Sequence, residues 1–288
     1  MNTGLGITRC HNTEFHWGDR TYVMGIVNVS PESFSGDGIA DVTAAVDRAK
    51  HMVEEGADIL DVGGESTKPG FTPVSAEEEI RRAVPVIEQI ARSVRVPVSI
   101  DTTKYEVALR ALKAGATILN DQWGLAREPR LGRLAADWKV PIVLMSNQRD
   151  KGSFDVSAQR DSSSYDDVTN EVLRSQRISL ETALKMGVPR ENIILDPGIG
   201  FGKTWQQDIE IVRRLTELRT LGRPILLGPS RKSLIKMVLG LPAKDRVEGT
   251  AAVVAIGIAN GADIVRVHDV RQMVRVCRMA DAIVRGVR

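Results

Sequence analysis

The chain has 288 residues, 42% of them hydrophobic and 26% charged, which excludes a disordered, collagen-like or coiled-coil protein. Its 39 Lys and Arg against 37 Asp and Glu leave a formal charge of +2, without the basic surplus that holds a nucleic-acid backbone. A local cationic site for a small anion stays open.

In chain order, residues 1–20 include His11, Asn12, Glu14, His16, Asp19 and Arg20 and no apolar core of signal-peptide length, so they read as a short N-terminal extension. From residue 21 onward, short runs rich in Val, Ile and Leu alternate with segments of helical period. The pattern predicts strands at 21–28, 57–62, 96–101, 117–121, 140–146, 192–196, 224–228 and 263–267. It predicts helices at 41–56, 75–94, 104–115, 128–138, 165–187, 205–220, 230–259 (broken near Pro242) and 269–286. Ser75 and Glu78 fit a capping box, and Glu77 and Glu79 favour the positive end of the same helix. Gly56, Gly115, Gly187 and Gly261 stand where helices stop, as left-handed C-terminal residues would.

Eight strands alternating with eight helices predict an α/β fold, a single (β/α)8 TIM barrel over 21–288 with residues 1–20 packed on it. No Pro-, Gly- or Ser-rich linker interrupts the alternation, and the polar stretch 147–164 reads as a loop. The longest apolar stretch, 251–259, has nine residues, too short for a bilayer crossing of roughly 20 residues. Cys10 and Cys277 stand far apart with no CxxC spacing, which predicts two reduced thiols in a cytoplasmic protein.

Active sites of such barrels lie at the C-terminal ends of the strands. Those ends carry Asn28, then Glu65, Ser66, Thr67 and Lys68, then Asp101, Asn120 and Asp121, Met145, Ser146 and Asn147, Asp196, Ser230, Arg231 and Lys232, and Arg266, His268 and Asp269. One Asp or Asn there is ordinarily a helix cap. A ring mixing carboxylates, amides and cations suits a flat polar ligand joined to an anionic group. Gly198–Thr204 imitates a phosphate-binding loop, but the residue six before Lys203 is Pro197, so that motif is absent.

These blocks together resemble the dihydropteroate synthase family. Met24-Gly-Ile-Val-Asn28-Val-Ser-Pro-Glu-Ser-Phe34 resembles its opening motif, and Asp61-Val-Gly-Gly-Glu65-Ser-Thr67-Lys68-Pro69-Gly70 its second. Ser99-Ile-Asp101-Thr-Thr-Lys104, Leu119-Asn120-Asp121, Asp196-Pro-Gly-Ile-Gly-Phe201-Gly-Lys203, Ser230-Arg-Lys232 and Arg266-Val-His268-Asp-Val270 follow in order. The resemblance spans roughly 21 to 286 and agrees with the barrel read from periodicity.

The resemblance implies that para-aminobenzoate displaces pyrophosphate from 6-hydroxymethyl-7,8-dihydropterin diphosphate, giving 7,8-dihydropteroate. Asp196 and Asp101 would accept from the pterin N–H groups, and Lys232 and Asn120 would donate to its carbonyl and ring nitrogens, with Met145 in the same pocket. Asn28, Arg266, His268 and Lys68 would face the diphosphate, Asn28 as a ligand of Mg2+. Thr67, Lys68, Pro69, Phe201, Ser230 and Phe34 would surround the aminobenzoate. Arg266, His268, Lys232 and Asp101 are the expected catalytic group, acting chiefly by stabilising the departing pyrophosphate. A homodimer is implied as well.

Three departures stand out. Lys68 replaces an arginine of the family's second loop, keeping charge but losing the planar fork. The family's Met-His-Met becomes Met145-Ser146-Asn147, and 148–161 is charged and Ser-rich. In the first loop, Ser30-Pro31-Glu32 and Gly36-Asp37-Gly38 stand for Thr-Pro-Asp and Asp-Gly-Gly. Two alternatives accompany the synthase reading: a non-catalytic pterin-binding paralogue, and a methyltetrahydrofolate-dependent methyltransferase of the same superfamily.

Overall fold

The computed structural model describes residues 4–30, 41–66, 72–149 and 167–287. Two antiparallel strands, β1 (Ile7–Cys10) and β2 (Thr13–His16), come first. Eight parallel strands follow: β3 (Tyr22–Asn28), β4 (Ile59–Gly63), β5 (Val98–Asp101), β6 (Ile118–Asp121), β7 (Ile142–Met145), β8 (Ile193–Asp196), β9 (Leu226–Leu227) and β10 (Ile264–Val267). Strands β3 to β8 pair in sequence, and β10 pairs with both β3 and β9. The ring closes where Leu195 bridges Ile225 in parallel and the Leu195 N–H donates to the Pro224 carbonyl at 3.0 Å. The (β/α)8 barrel is therefore the fold.

Nine helices alternate with the strands among the described residues: α1 (Val42–Glu54), α2 (Ala76–Ser93), α3 (Tyr105–Lys113), α4 (Arg130–Trp138), α5 (Val168–Lys185), α6 (Trp205–Arg213), α7 (Ser233–Leu239), α8 (Val247–Ala259) and α9 (Val270–Arg285). Two predicted helices are divided. Residues 205–220 become α6 and a 3-10 segment, Leu215–Leu221, and 230–259 become α7, a 3-10 turn and α8, the break falling at Pro242 as expected. Strand β9 is shorter than predicted because Pro224 has no N–H to donate and Gly228-Pro229 ends the run.

The helix ends follow local chemistry, with one correction. Ser75 Oγ accepts from the Glu78 N–H at 3.2 Å, but the Glu78 carboxylate binds Arg81 and Arg82 at 2.7 and 2.6 Å instead of closing the box. A reciprocal capping box does form at α6, between Thr204 and Gln207. The four helix-ending glycines all have positive φ, from 90° to 111°.

Side chains alternate across each strand, so every second residue enters the barrel. The first interior positions are apolar: Met24, Ile59, Ile118, Val143, Ile194, Leu226 and Ile264 cluster with Leu5, Cys10, Phe15, Trp17 and Tyr22. The β1–β2 hairpin thus plugs the N-terminal end, with Phe15 stacked on Trp17 at 5.5 Å and edge-on to Tyr22 at 4.9 Å. Two residues further along, Ile59, Ile118, Ile194 and Ile264 give way to Asp61, Asn120, Asp196 and Arg266. The interior changes from oily plug to polar floor in one strand period. A second apolar core, between the sheet and the surrounding helices, holds the strands in place.

Candidate active site

The polar floor is a connected ion-pair network. Arg266 on β10 donates from Nε to Asp61 Oδ2 at 2.6 Å and from Nη2 to Asp101 Oδ2 at 2.8 Å. Asn120 Nδ2 donates to the same Asp61 oxygen at 3.1 Å, and Gln122 Nε2 donates to Asp101 Oδ1 at 2.6 Å. Asp61 is wholly buried. Burial raises the Asp101 pKa to about 7 despite the attraction of Arg266, and the charge on Asp61 adds to the rise. Burial opposes the Arg266 charge, but Asp61 and Asp101 outweigh it and push the guanidinium pKa upward.

Asp196, at the end of β8, uses Oδ1 to accept the Gly198 N–H at 2.7 Å. Burial raises its pKa, opposed first by Lys232. Gly198 has φ +71°, and a β-carbon there would collide with the Ser146 carbonyl oxygen, so only glycine lets this loop lie against the end of β7. Asp208 holds the Gly200 N–H at 3.0 Å, and Lys203 Nζ donates to Phe201 O at 3.0 Å and Ser146 O at 3.3 Å. Lys232 Nζ donates to Ile199 O at 2.6 Å and lies 4.7 Å from the Phe201 ring centroid. Burial lowers the Lys232 pKa to about 8 against the attraction of Asp196.

Strands β9 and β10 deliver a second pair. Ser230 Oγ lies 2.9 Å from His268 Nδ1 and accepts the His268 N–H at 3.2 Å, with both residues buried. Arg231, at φ +59°, makes a two-pronged ion pair with Asp269 at 3.1 and 2.6 Å that ties the two strand ends together. Arg48 reaches over from α1 to the His268 carbonyl at 3.1 Å.

Asn28 closes β3 beside its register partner Gly63. A β-carbon on Gly63 would come 4.0 Å from Asn28 Oδ1 and 3.8 Å from Asp101 Oδ2, so no side chain separates the amide from the floor. Met145 ends β7 opposite Asp196 and is buried. The structure thus brings Asn28, Asp101, Asn120, Met145, Asp196, Phe201, Ser230, Lys232, Arg266 and His268 to one end of the barrel. Thr67, Lys68, Pro69 and Phe34 lie outside the described residues. Asp121 plays a local role: its carboxylate accepts the Trp123 and Leu125 N–H groups at 2.9 and 2.6 Å.

Other site residues were given no role by sequence reasoning. Asp61 had a visible signal, an acidic residue in the middle of the apolar run Ile59–Gly63. Lys104 binds Glu65 and Glu79 at 2.7 and 2.5 Å, and Glu65 also accepts the Val74 N–H at 3.0 Å, which joins the ends of the second loop. Lys203 and Arg149 acquire their surroundings only when the loops after β7 and β8 interlock.

Chemically, the end of the barrel offers buried acceptors on Asp101 and Asp196, donors on Asn120 and Lys232, an aromatic wall on Phe201, donors on Arg266 and His268, and the Asn28 amide. The family model described as pterin binding enzyme matches residues 24–268. A dihydropteroate synthase of Clostridium beijerinckii is 47% identical over 94% of this chain and 97% of its own. A dihydropteroate synthase from Clostridium difficile, solved in the presence of pteroic acid, superposes with a TM-score of 0.85 at 46% identity, covering 94% of this chain and 99% of that one. The Yersinia pestis dihydropteroate synthase, solved with a sulfonamide drug complex, reaches a TM-score of 0.90 at 35% identity over 96% and 98% of the two chains. With its barrel, its buried polar floor and these relatives in agreement, the chain belongs to the dihydropteroate synthases of the pterin-binding enzyme family.

Proposed function

We propose that this chain makes 7,8-dihydropteroate from 6-hydroxymethyl-7,8-dihydropterin diphosphate and para-aminobenzoate, releasing pyrophosphate. The observation that carries the reading is the placement of Asp101, Asn120, Asp196 and Lys232 around one buried floor. A pterin edge needs two acceptors and matching donors, and in a desolvated pocket each mismatch leaves a buried group unsatisfied. Met145 and Phe201 supply the apolar walls for the flat ring.

In the reaction the C–O bond from the pterin methylene to the diphosphate breaks, and the electron pair leaves with pyrophosphate. The arylamine nitrogen forms the new C–N bond and then loses a proton to solvent. A neutral arylamine is already a nucleophile, so the main task is to stabilise charge on the leaving group. Arg266 on β10 and His268 just after it fit that role, and Asn28 ends the paired strand β3. Mg2+ fits here: Asn28 offers an amide oxygen, and magnesium commonly takes one or two protein ligands with phosphate and water oxygens. When bound, the ion would neutralise charge on the diphosphate.

Thr67, Lys68, Pro69 and Phe34 are proposed with Phe201 and Ser230 as the aminobenzoate surroundings, on the family resemblance.

A homodimer is part of the same proposal. Helix α8 is apolar on nearly every face, a pattern that belongs to a helix buried on all sides. Yet Ile256 is half exposed, next to exposed Met237, Val238 and Leu239 on α7 and Met279 and Ile283 on α9. A cavity of about 340 Å³ lined by Leu234, Val238, Val253 and Ile256 indents this surface. A second copy of the chain is the occupant that fits. A cytoplasmic location is supported by two free, buried cysteines. Among the described residues, no helix is long and apolar enough to cross a membrane.

Mass spectrometry of the product tests the assignment. The purified chain with both substrates and Mg2+ should yield dihydropteroate. A chain that binds the pterin diphosphate yet forms no dihydropteroate is a non-catalytic paralogue.

A further inference from the structure

Helix α5 packs on the outer face of β7 and β8 with a buried stripe that runs Val172, Gln176, Leu180 and Ala183. Gln176 is fully buried, and it interrupts an otherwise apolar row. A glutamine is seldom buried on a helix face that packs against a sheet unless its amide has a specific partner. Here the partners are two strand-end carbonyls. Gln176 Nε2 donates to Leu144 O on β7 at 3.0 Å and to Asp196 O on β8 at 2.6 Å. Both are acceptors only, so the NH2 end of the amide has to face them.

These bonds fall where the parallel ladder ends. Leu144 pairs with Leu195, and Met145 with Asp196 is the last register pair of the two strands. The Ser146 N–H closes that pair by donating to Asp196 O at 2.8 Å. The Asp196 carbonyl therefore has two donors, one from the end of β7 and one from the helix behind it. Side chains of the pair leave on the inner face of the sheet, because they continue the alternation of Val143 and Ile194, which line the barrel interior. Gln176 thus ties down, from outside the barrel, the one pair that sends Met145 and Asp196 into the site.

A hydrogen bond weakens steeply as its angle closes, so a small rotation of β8 against β7 would misaim the Asp196 carboxylate at a flat ring. We infer that Gln176 is a positioning residue for the pterin pocket, acting through the Asp196 backbone and touching no substrate, an inference resting on the synthase reading above. The loop that carries Phe201 has anchors of its own. Asp208 holds the Gly200 N–H, and Lys203 holds the Phe201 and Ser146 carbonyls. The effect of Gln176 therefore falls on the pterin and leaves the aminobenzoate alone.

Calorimetry with the pterin diphosphate alone, followed by steady-state kinetics, tests this. Gln176→Met keeps the length of the side chain and removes both donors. It should raise the Kd for the pterin diphosphate at least fivefold, as one misplaced buried acceptor would. The KM for para-aminobenzoate at saturating pterin diphosphate should stay within twofold. Leu180→Ala is the control: it opens a cavity on the same helix face and lowers the melting temperature, yet should leave the pterin Kd within twofold. Should the methionine variant fold poorly, Gln176→Asn, which keeps an amide but falls one methylene short of the two carbonyls, reads the same split. An unchanged pterin Kd in a folded Gln176 variant, or an equal rise in the Leu180 control, overturns the role of Gln176 while the synthase reading stands. A parent protein that does not bind the pterin diphosphate overturns the synthase reading, and this inference falls with it.

Discussion

Arg266 on β10 and Asp61 on β4 form a 2.6 Å ion pair inside the barrel, two residues beyond the apolar layer that the N-terminal hairpin seals. With Asp101 as its second partner at 2.8 Å, Arg266 joins the strands on both sides of β3 before any substrate arrives. Its side chain therefore organises the floor as well as facing the anion.

Removing that cation should be costly. Arg266→Ala leaves two buried carboxylates uncompensated, and breaking a buried pair costs about 3–5 kcal/mol. Without Arg266 the Asp101 carboxyl holds its proton more tightly, so the loss should be larger at pH 8 than at pH 5.5. Chemical denaturation at the two pH values checks this. Equal losses would mean that the pair is not coupled in solution.

Asp196→Asn should keep the bond to the Gly198 N–H while mismatching a pterin donor. One unsatisfied buried group costs about 1–3 kcal/mol, at least a fivefold loss of affinity. Calorimetry with a pterin ligand measures it, and unchanged affinity in a folded variant removes Asp196 from the pterin site.

The pH dependence follows from two displaced groups. Asp101 titrates at about 7, so its ionised, accepting form gains as pH rises through that value. Lys232 titrates at about 8 and loses its donor proton above it. The kcat/KM profile should be a narrow bell between these limbs. Lys203 titrates in the same alkaline range but donates to backbone carbonyls, so Lys232→Arg is the informative variant. It should carry the alkaline limb upward, and an unmoved limb contradicts the assignment to Lys232. For stability the sign runs the other way at Asp101. A folded pKa above the usual 3.8 favours folding most below pH 3.8, and that contribution is lost as pH rises through about 7.

The plug should matter for folding and little for chemistry. Phe15→Ala removes a fully buried ring and should cost about 3–5 kcal/mol. Turnover at low temperature should stay within twofold, since Phe15 lies at the opposite end of the barrel interior from Asp196. A thermal melt and a rate at 15 °C, a temperature chosen to be roughly at maximal stability, separate the two effects. A large loss of turnover in the folded variant would link the plug to the site.

The barrel was legible because alternation of apolar runs with helical segments survives sequence noise over eight repeats. The ring of site residues was legible because polar side chains at strand ends have few purely structural uses when so many coincide. The hairpin was not. Its turn is His11-Asn12, with His11 at φ +53°, where a glycine would have announced it. Ser75 and Glu78 looked like a capping box, yet Arg81 and Arg82 take the carboxylate. Asp61 was quoted in a motif but not assigned, because its partner Arg266 is 205 residues away and only barrel closure brings them together. Arg149 lies in a polar stretch with no periodicity, and its surroundings depend on how two loops interlock.

Pyrophosphate release, followed with and without para-aminobenzoate and Mg2+, tests the assigned reaction most directly. The expected outcome is one pyrophosphate per dihydropteroate, formed only when both substrates are present and faster with Mg2+. Tight binding of the pterin diphosphate with no aminobenzoate-dependent release of pyrophosphate would contradict it.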